Sequence, residues 1–134
     1  MASAQPPAVF MSQLVQSLRG CRNVFLDVGA NIGMHTRFLF EAKRYPAEYR
    51  MIHRIHKRNM HVYSDVFDTQ FGKQRDLRKT CSFGFEPNPA HATRHKQLSA
   101  FYSRQGWRYF YVPFGVSDRN GTLAFYPNRL MLQR

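Results

Sequence analysis

One stretch constrains this chain more than any other: Val24-Phe25-Leu26-Asp27-Val28-Gly29-Ala30-Asn31-Ile32-Gly33. A short, nearly continuous apolar run is the pattern of a parallel strand covered on both faces, and this one carries a carboxylate near its end. Two glycines then permit a tight turn, and residues 34–42 have the composition of a helix with Phe38 and Leu39 inward. Strand, glycine turn and helix in this order open an α/β fold with a mostly parallel sheet. Ligands bind such sheets at the carboxyl ends of the strands.

The pattern resumes further along. Residues 81–85 read as a second strand ended by Glu86, and Asn88-Pro89 supplies an N-cap and a first helical residue. The helix that follows runs to about Arg104. Gly106 separates it from residues 107–116, a third strand rich in aromatic and β-branched side chains. Asn120-Gly121 is a hairpin signal, so residues 122–126 are expected to return as an antiparallel edge. Asn120-Gly121-Thr122 also fits a glycosylation sequon, read here as turn chemistry. Upstream, Phe10, Leu14, Val15 and Leu18 fall at helical spacing with Gly20 beyond them, which predicts an amphipathic helix over 8–19. The layout is thus an N-terminal helix in residues 1–22 and an α/β domain in 23–134, interrupted by a basic insertion at 43–80. Within the insertion Pro46 is a break, and the spacing of Ile52, Ile55, Val62, Val66 and Phe67 predicts one or two short helices.

The turn residues separate the adenosine cofactors that such a site can take. A dinucleotide site wants G-x-G-x-x-G, whose second glycine lets the backbone approach a pyrophosphate. Here Asn31 stands at that place, and Asp27 sets a negative charge where a pyrophosphate would be repelled. A P-loop is excluded because no G-K-[ST] follows. S-adenosylmethionine carries a sulfonium and an ammonium and no phosphate, so a strand-end carboxylate suits it. Glu86, at the tip of the next strand, stands where a carboxylate accepts hydrogen bonds from ribose hydroxyls, although the insertion stretches the usual gap of about 20 residues.

The motifs Asp27-Val28-Gly29-Ala30-Asn31-Ile32-Gly33, Phe83-Gly84-Phe85-Glu86-Pro87-Asn88-Pro89 and Gly115-Val116-Ser117-Asp118 with Gly121-Thr122 together resemble the FkbM-type methyltransferase family. The resemblance implies the N-terminal part of a Rossmann-like class I methyltransferase fold: three parallel strands with flanking helices and a hairpin extension. It implies S-adenosylmethionine as methyl donor and O-methylation of a small molecule or sugar. By position, Asp27, Gly29, Asn31 and Gly33, with Ala30 in the same turn, would surround the methionine part of the cofactor. Glu86 would hold the ribose, and Ser117 or Asp118 the adenine edge. Family members continue with an acidic strand of the I-D-x-E-G type, which this sequence does not reach. The resemblance therefore implies a truncated domain whose first strand, central in the family's sheet, is left as an apolar open edge.

Charge supplies the rival readings. The chain has 20 Lys and Arg against 8 Asp and Glu, a formal net charge of +12, and a field of that sign favours anionic partners. A nucleic-acid-binding module would use Arg50, Arg54, Lys57 and Arg58 on phosphate with Tyr49 or Tyr63 stacking on bases. Interleaved Glu48, Asp65, Asp68 and Asp76 dilute that patch, so it is not favoured. A remnant that keeps the start of the fold without catalysis is the third reading. His53-x-x-His56 and His91-x-x-x-His95 do not complete a metal site, and no metal is expected. Cys21 and Cys81 form no C-x-x-C pair and are expected as reduced, buried thiols. The N-terminal stretch resembles neither a signal peptide nor a membrane span, so a cytoplasmic location is expected.

Overall fold

A computed structural model describes residues 7–45, 52–57, 60–119 and 121–122. Helix α1 (Pro7–Leu18) leads into strand β1 (Asn23–Val28), and helix α2 (Met34–Phe40) follows the glycine turn. Strands β2 (Ile52–Lys57) and β3 (Met60–Asp65) and helix α3 (Val66–Phe71) come next. Strand β4 (Thr80–Phe85), helix α4 (Ala92–Arg104) and strand β5 (Arg108–Val112) complete the order.

The fold is α/β. Strands β1, β4 and β5 form a parallel sheet in that order, with Asp27 opposite Gly84 and Phe83 opposite Phe110. Parallel strands need crossover connections, and α4 supplies the one from β4 to β5. The arrangement matches the first three strands of a doubly wound sheet, which lie in spatial order 3-2-1. Because side chains alternate along a strand, Phe25, Asp27, Ser82, Tyr109 and Tyr111 share one face. On that face sits the main core, in which Phe38, Leu39, Phe40, Phe67, Leu98, Tyr102 and Tyr109 are buried. Aromatic contacts bind it: Phe25 meets Phe67 edge-on at 4.9 Å, and Phe40 stacks on Trp107 at 5.6 Å. A buried hydroxyl pair, Thr36 Oγ1 and Ser82 Oγ at 2.8 Å, ties α2 to β4.

The opposite face is covered less. Arg108 donates to the carbonyls of Arg19 and Ser17 and so satisfies the end of α1, the expected role for a cation at a helix C-terminus. Beyond α1, Leu26 remains 57% exposed and Val28 61%. Among the described residues β1 pairs with β4 alone, which matches the apolar open edge expected from the sequence.

Several boundaries move, each for a physical reason. The third strand ends at Val112 rather than 116 because Pro113 brings no N–H to the ladder. The second helix stops at Phe40 and passes into a 3₁₀ turn, Ala42–Arg44, and α4 is likewise preceded by a 3₁₀ turn, Pro89–His91. The short helices expected over Ile52, Ile55 and Val62 are instead an antiparallel pair, β2 with β3, in which Ile55 lies opposite Val62 and Arg54 opposite Tyr63. These β-branched and aromatic residues favour strands, a preference that outweighs their incidental helical spacing. Val66 and Phe67 do enter a helix, α3. Residues 123–126 of the expected hairpin return and residues Tyr49, Arg50 and Arg58 lie outside the described residues.

The cysteines overturn the expectation of reduced thiols. Cys21 and Cys81 form a disulfide, with their Cα atoms 5.7 Å apart, and no described cysteine is free. The cause is register: Asn23 pairs with Thr80 and Val24 with Cys81, which draws Cys21 beside β4 across 60 residues of sequence. Sequence distance alone hides such a meeting. Chain-entropy arguments give a loop of this size about 4 kcal/mol of stabilisation. Under non-reducing denaturation the thiols should resist alkylation, and reductant should lower the thermal midpoint by many degrees. Alkylation of both cysteines without reductant would contradict the assignment.

Candidate functional site

The site forms at the carboxyl edge of the parallel sheet, where the tips of β1 and β4 meet the glycine turn. Backbone bonds dock the turn first: the amides of Gly29 and Ala30 both donate to the Phe85 carbonyl, at 3.0 and 3.1 Å. Asn31 and Gly33 then adopt left-handed backbone, with φ of 50° and 78°. Asn is among the few side-chain-bearing residues that tolerate this region. Gly33 also has no room for a side chain, since a Cβ there would lie 2.8 Å from Leu98 Cδ1. Gly29, with φ of 74°, faces open space instead.

Glu86 is the fixed point. Its carboxylate accepts from the Asn31 amide through Oε2 at 2.7 Å and from the Asn88 amide through Oε1 at 2.8 Å. Its own amide donates to the Val112 carbonyl, and its carbonyl accepts from the Tyr111 hydroxyl. The residue is 7% exposed. A carboxylate offers about four acceptor positions, so each oxygen retains capacity beyond the backbone bond it accepts. The expected N-cap is present as well, for Asn88 Oδ1 accepts from the Ala90 amide at 3.0 Å.

Asp27 lies under the same turn. It is 3% exposed, and His35 Nδ1 donates to its Oδ1 at 2.9 Å. Its Oδ2 is buried with no hydrogen-bond partner among the described residues. A buried acceptor with charge to spare is rare in a native protein and calls for a cationic or donating group. The side chain of His35 is 45% exposed, so the Asp27–His35 pair reaches from the interior to the surface beside the turn.

The sequence reading missed His95 as a site residue. It is wholly buried, with Nε2 donating to the Asn31 carbonyl at 2.7 Å and the Tyr109 hydroxyl donating to Nδ1 at 2.6 Å. Its ring lies flat on Tyr111, centroids 4.8 Å apart. Both ring nitrogens are thereby engaged, which answers the metal question for this histidine. Burial depresses its pKa below the ordinary 6.5, against a raising contribution from the Asn31 carbonyl bond and from Glu86. Burial likewise raises the Tyr109 hydroxyl, with Asp27 and Glu86 adding to the effect, so Tyr109 stays a donor. Gly84 leaves the space that the Tyr109 hydroxyl occupies. The available signal was spacing: His95, Leu98 and Tyr102 share one helical face, and all three are buried.

The structure therefore brings together Asp27, Gly29, Ala30, Asn31, Gly33 and Glu86. Ser117 and Asp118 follow β5 on the same edge and are exposed, but their hydrogen bonds are local, from Ser117 to Asp118 and from Arg119 to Ser117. His53 and His56 both lie on β2. Comparisons with protein-family models, with curated proteins and with solved structures found no match.

Two outcomes follow from this geometry. Gly33→Ala should cost about 2 kcal/mol or more, combining left-handed strain with the clash against Leu98, while Gly29→Ala should cost about 1 kcal/mol; equal losses in denaturant titration would contradict the packing described. His95 is held neutral, so its contribution to stability is present above pH 6.5 and is lost as the pH falls and the folded state must accept the proton. The stability of the wild type should thus drop on acidification more steeply than that of His95→Gln, and parallel pH curves would refute the role.

Proposed function

We propose that this chain is the S-adenosylmethionine-binding core of an FkbM-type methyltransferase. The observation that carries the reading is the convergence of two buried carboxylates, Asp27 and Glu86, on one glycine turn at the carboxyl edge of a parallel sheet. The donor set fits this cofactor. Asp27 Oδ2 is an unpartnered buried acceptor, matched to the ammonium or sulfonium. Glu86 keeps acceptor capacity suited to a ribose diol, and Gly29 leaves open space above the turn. A phosphate is disfavoured at this turn, because a carboxylate stands where an anion would be repelled.

When bound, S-adenosylmethionine supplies an electrophilic methyl group for transfer, and the family likeness makes an oxygen of a small molecule or sugar the acceptor. The contribution of this chain is orientation, the major source of rate when two reactants must be aligned in line. Glu86 sets the depth of the turn, His95 fixes Asn31 from below, and Asp27 with His35 sets the charge. Ser117 and Asp118 are assigned to the adenine edge by position in the sequence, at the outer end of β5.

Among the described residues no helix is long and apolar enough to cross a membrane. The Cys21–Cys81 bond sits more easily with an oxidising compartment than with the cytosol expected from the sequence. Our reading therefore favours the former.

Calorimetric titration with S-adenosylmethionine tests the proposal. Loss of charge-assisted ribose bonds in Glu86→Ala, about 1.5 to 3 kcal/mol, should weaken binding by roughly ten- to a hundredfold. Asp27→Asn should weaken it in the same direction while the chain remains folded by circular dichroism. Unchanged affinity in both variants, or no binding by the wild type, would defeat the reading.

A further inference from the structure

Between α2 and α4, on the outer side of the helices that cover the sheet, lies an open groove of about 390 Å³, within the ~300–1,000 Å³ range of small-ligand sites. Its walls include Arg37, Arg44, Arg94, Glu41, Gln97 and Phe101. Three guanidinium groups thus face one carboxylate. Glu41 is committed already: its Oε1 accepts from the buried Tyr102 hydroxyl at 2.5 Å and its Oε2 from Arg44 at 3.1 Å. Arg94 is exposed and has no ion pair among the described residues. Arg37 donates through Nη1 to the Tyr45 hydroxyl at 3.1 Å, whereas its Nε is buried without a partner. The groove is therefore short of negative charge.

Its second property is aromatic. Phe101 is 38% exposed on the groove wall, unlike its neighbour Tyr102, which is buried. A guanidinium cluster beside an open phenyl ring matches a ligand that joins a phosphate to a planar base: arginine forks bind phosphate oxygens, and every nucleobase offers a face for stacking. The chain's net charge of +12 would draw such an anion in.

We propose that the α2–α4 groove binds a nucleoside phosphate, with Arg37, Arg44 and Arg94 on the phosphate and Phe101 beneath the base. The ligand is a free nucleotide or one unit of a single strand, which share this chemistry. None of the residues that line the groove is among those assigned to the cofactor, and the proposal stands without the cofactor reading.

Binding to the full chain would be measured for uridine monophosphate, for uridine and for a fluorescent oligouridine, with S-adenosylhomocysteine present throughout to fill any adenosine site. Arg94→Glu and Phe101→Ala are surface changes, and each should weaken binding about tenfold or more. Lys96→Glu, an equal charge change at an exposed position of α4 that is not on the groove wall, should weaken it far less. Uridine should not compete. Competition by the monophosphate at comparable affinity identifies a free nucleotide; much tighter binding of the oligouridine, lost with Phe101→Ala, identifies a strand. Absence of binding by both phosphates at low salt, or equal losses for Arg94→Glu and Lys96→Glu, would overturn the proposal.

Discussion

Glu86 receives the Asn31 amide at 2.7 Å and the Asn88 amide at 2.8 Å, and the geometry of the whole sheet edge depends on that double acceptance. Without it the glycine turn would be held to β4 only by the two bonds to the Phe85 carbonyl. Burying a carboxylate is costly unless charge-assisted bonds replace its water. Here both replacements come from backbone amides of the segments that must be positioned: the turn after β1 and the loop into α4. One residue thereby couples the desolvation of its own charge to the shape of the site. His95 acts from the other side of the turn, through the Asn31 carbonyl, so Asn31 is held by both of its backbone groups in a left-handed conformation that asparagine tolerates.

The packing explains why one face of the sheet is closely covered while the other is covered less. Phe25, Ser82, Tyr109 and Tyr111 lie under α2, α3 and α4, where aromatic rings and a hydroxyl pair lock the layers together. On the other face, α1 is tied down by Arg108 and the Cys21–Cys81 bond, yet Leu26 and Val28 remain in solvent. Apolar residues so placed on an edge strand are a template for association. The disulfide crosses from the segment before β1 to β4 and so reinforces the pairing at the opening end of the two strands, away from Leu26 and Val28.

Much of this was legible in the residues. The run from Val24 to Gly33 specified strand, turn and helix because its apolar continuity and its glycines serve few other purposes. Glu86 and Asn88-Pro89 marked the end of β4 and the start of the next helical segment for the same reason. What escaped notice depended on three-dimensional register. Cys21 meets Cys81 only because Asn23 pairs with Thr80, and no local pattern encodes that pairing. His95 looked like half of a metal-spaced pair, whereas its face, shared with Leu98 and Tyr102, is what buries it. In the insertion, Ile52, Ile55 and Val62 were read by their helical spacing, and the strand preference of β-branched residues prevailed over it. The assignment of Ser117 and Asp118 to an adenine edge rests on family likeness alone, and the hydrogen bonds these residues make are local.

The central claim is that the turn spanning Gly29 to Gly33 and the Glu86 tip form one adenosine-binding edge. Amide chemical-shift mapping of the intact, oxidised chain during titration with S-adenosylhomocysteine tests it most directly. The account predicts saturable shifts concentrated at the amides of residues 29–33 and 86–88, the latter without Pro87. Saturable shifts confined to another part of the molecule, or none at ligand concentrations that saturate binding, would contradict it.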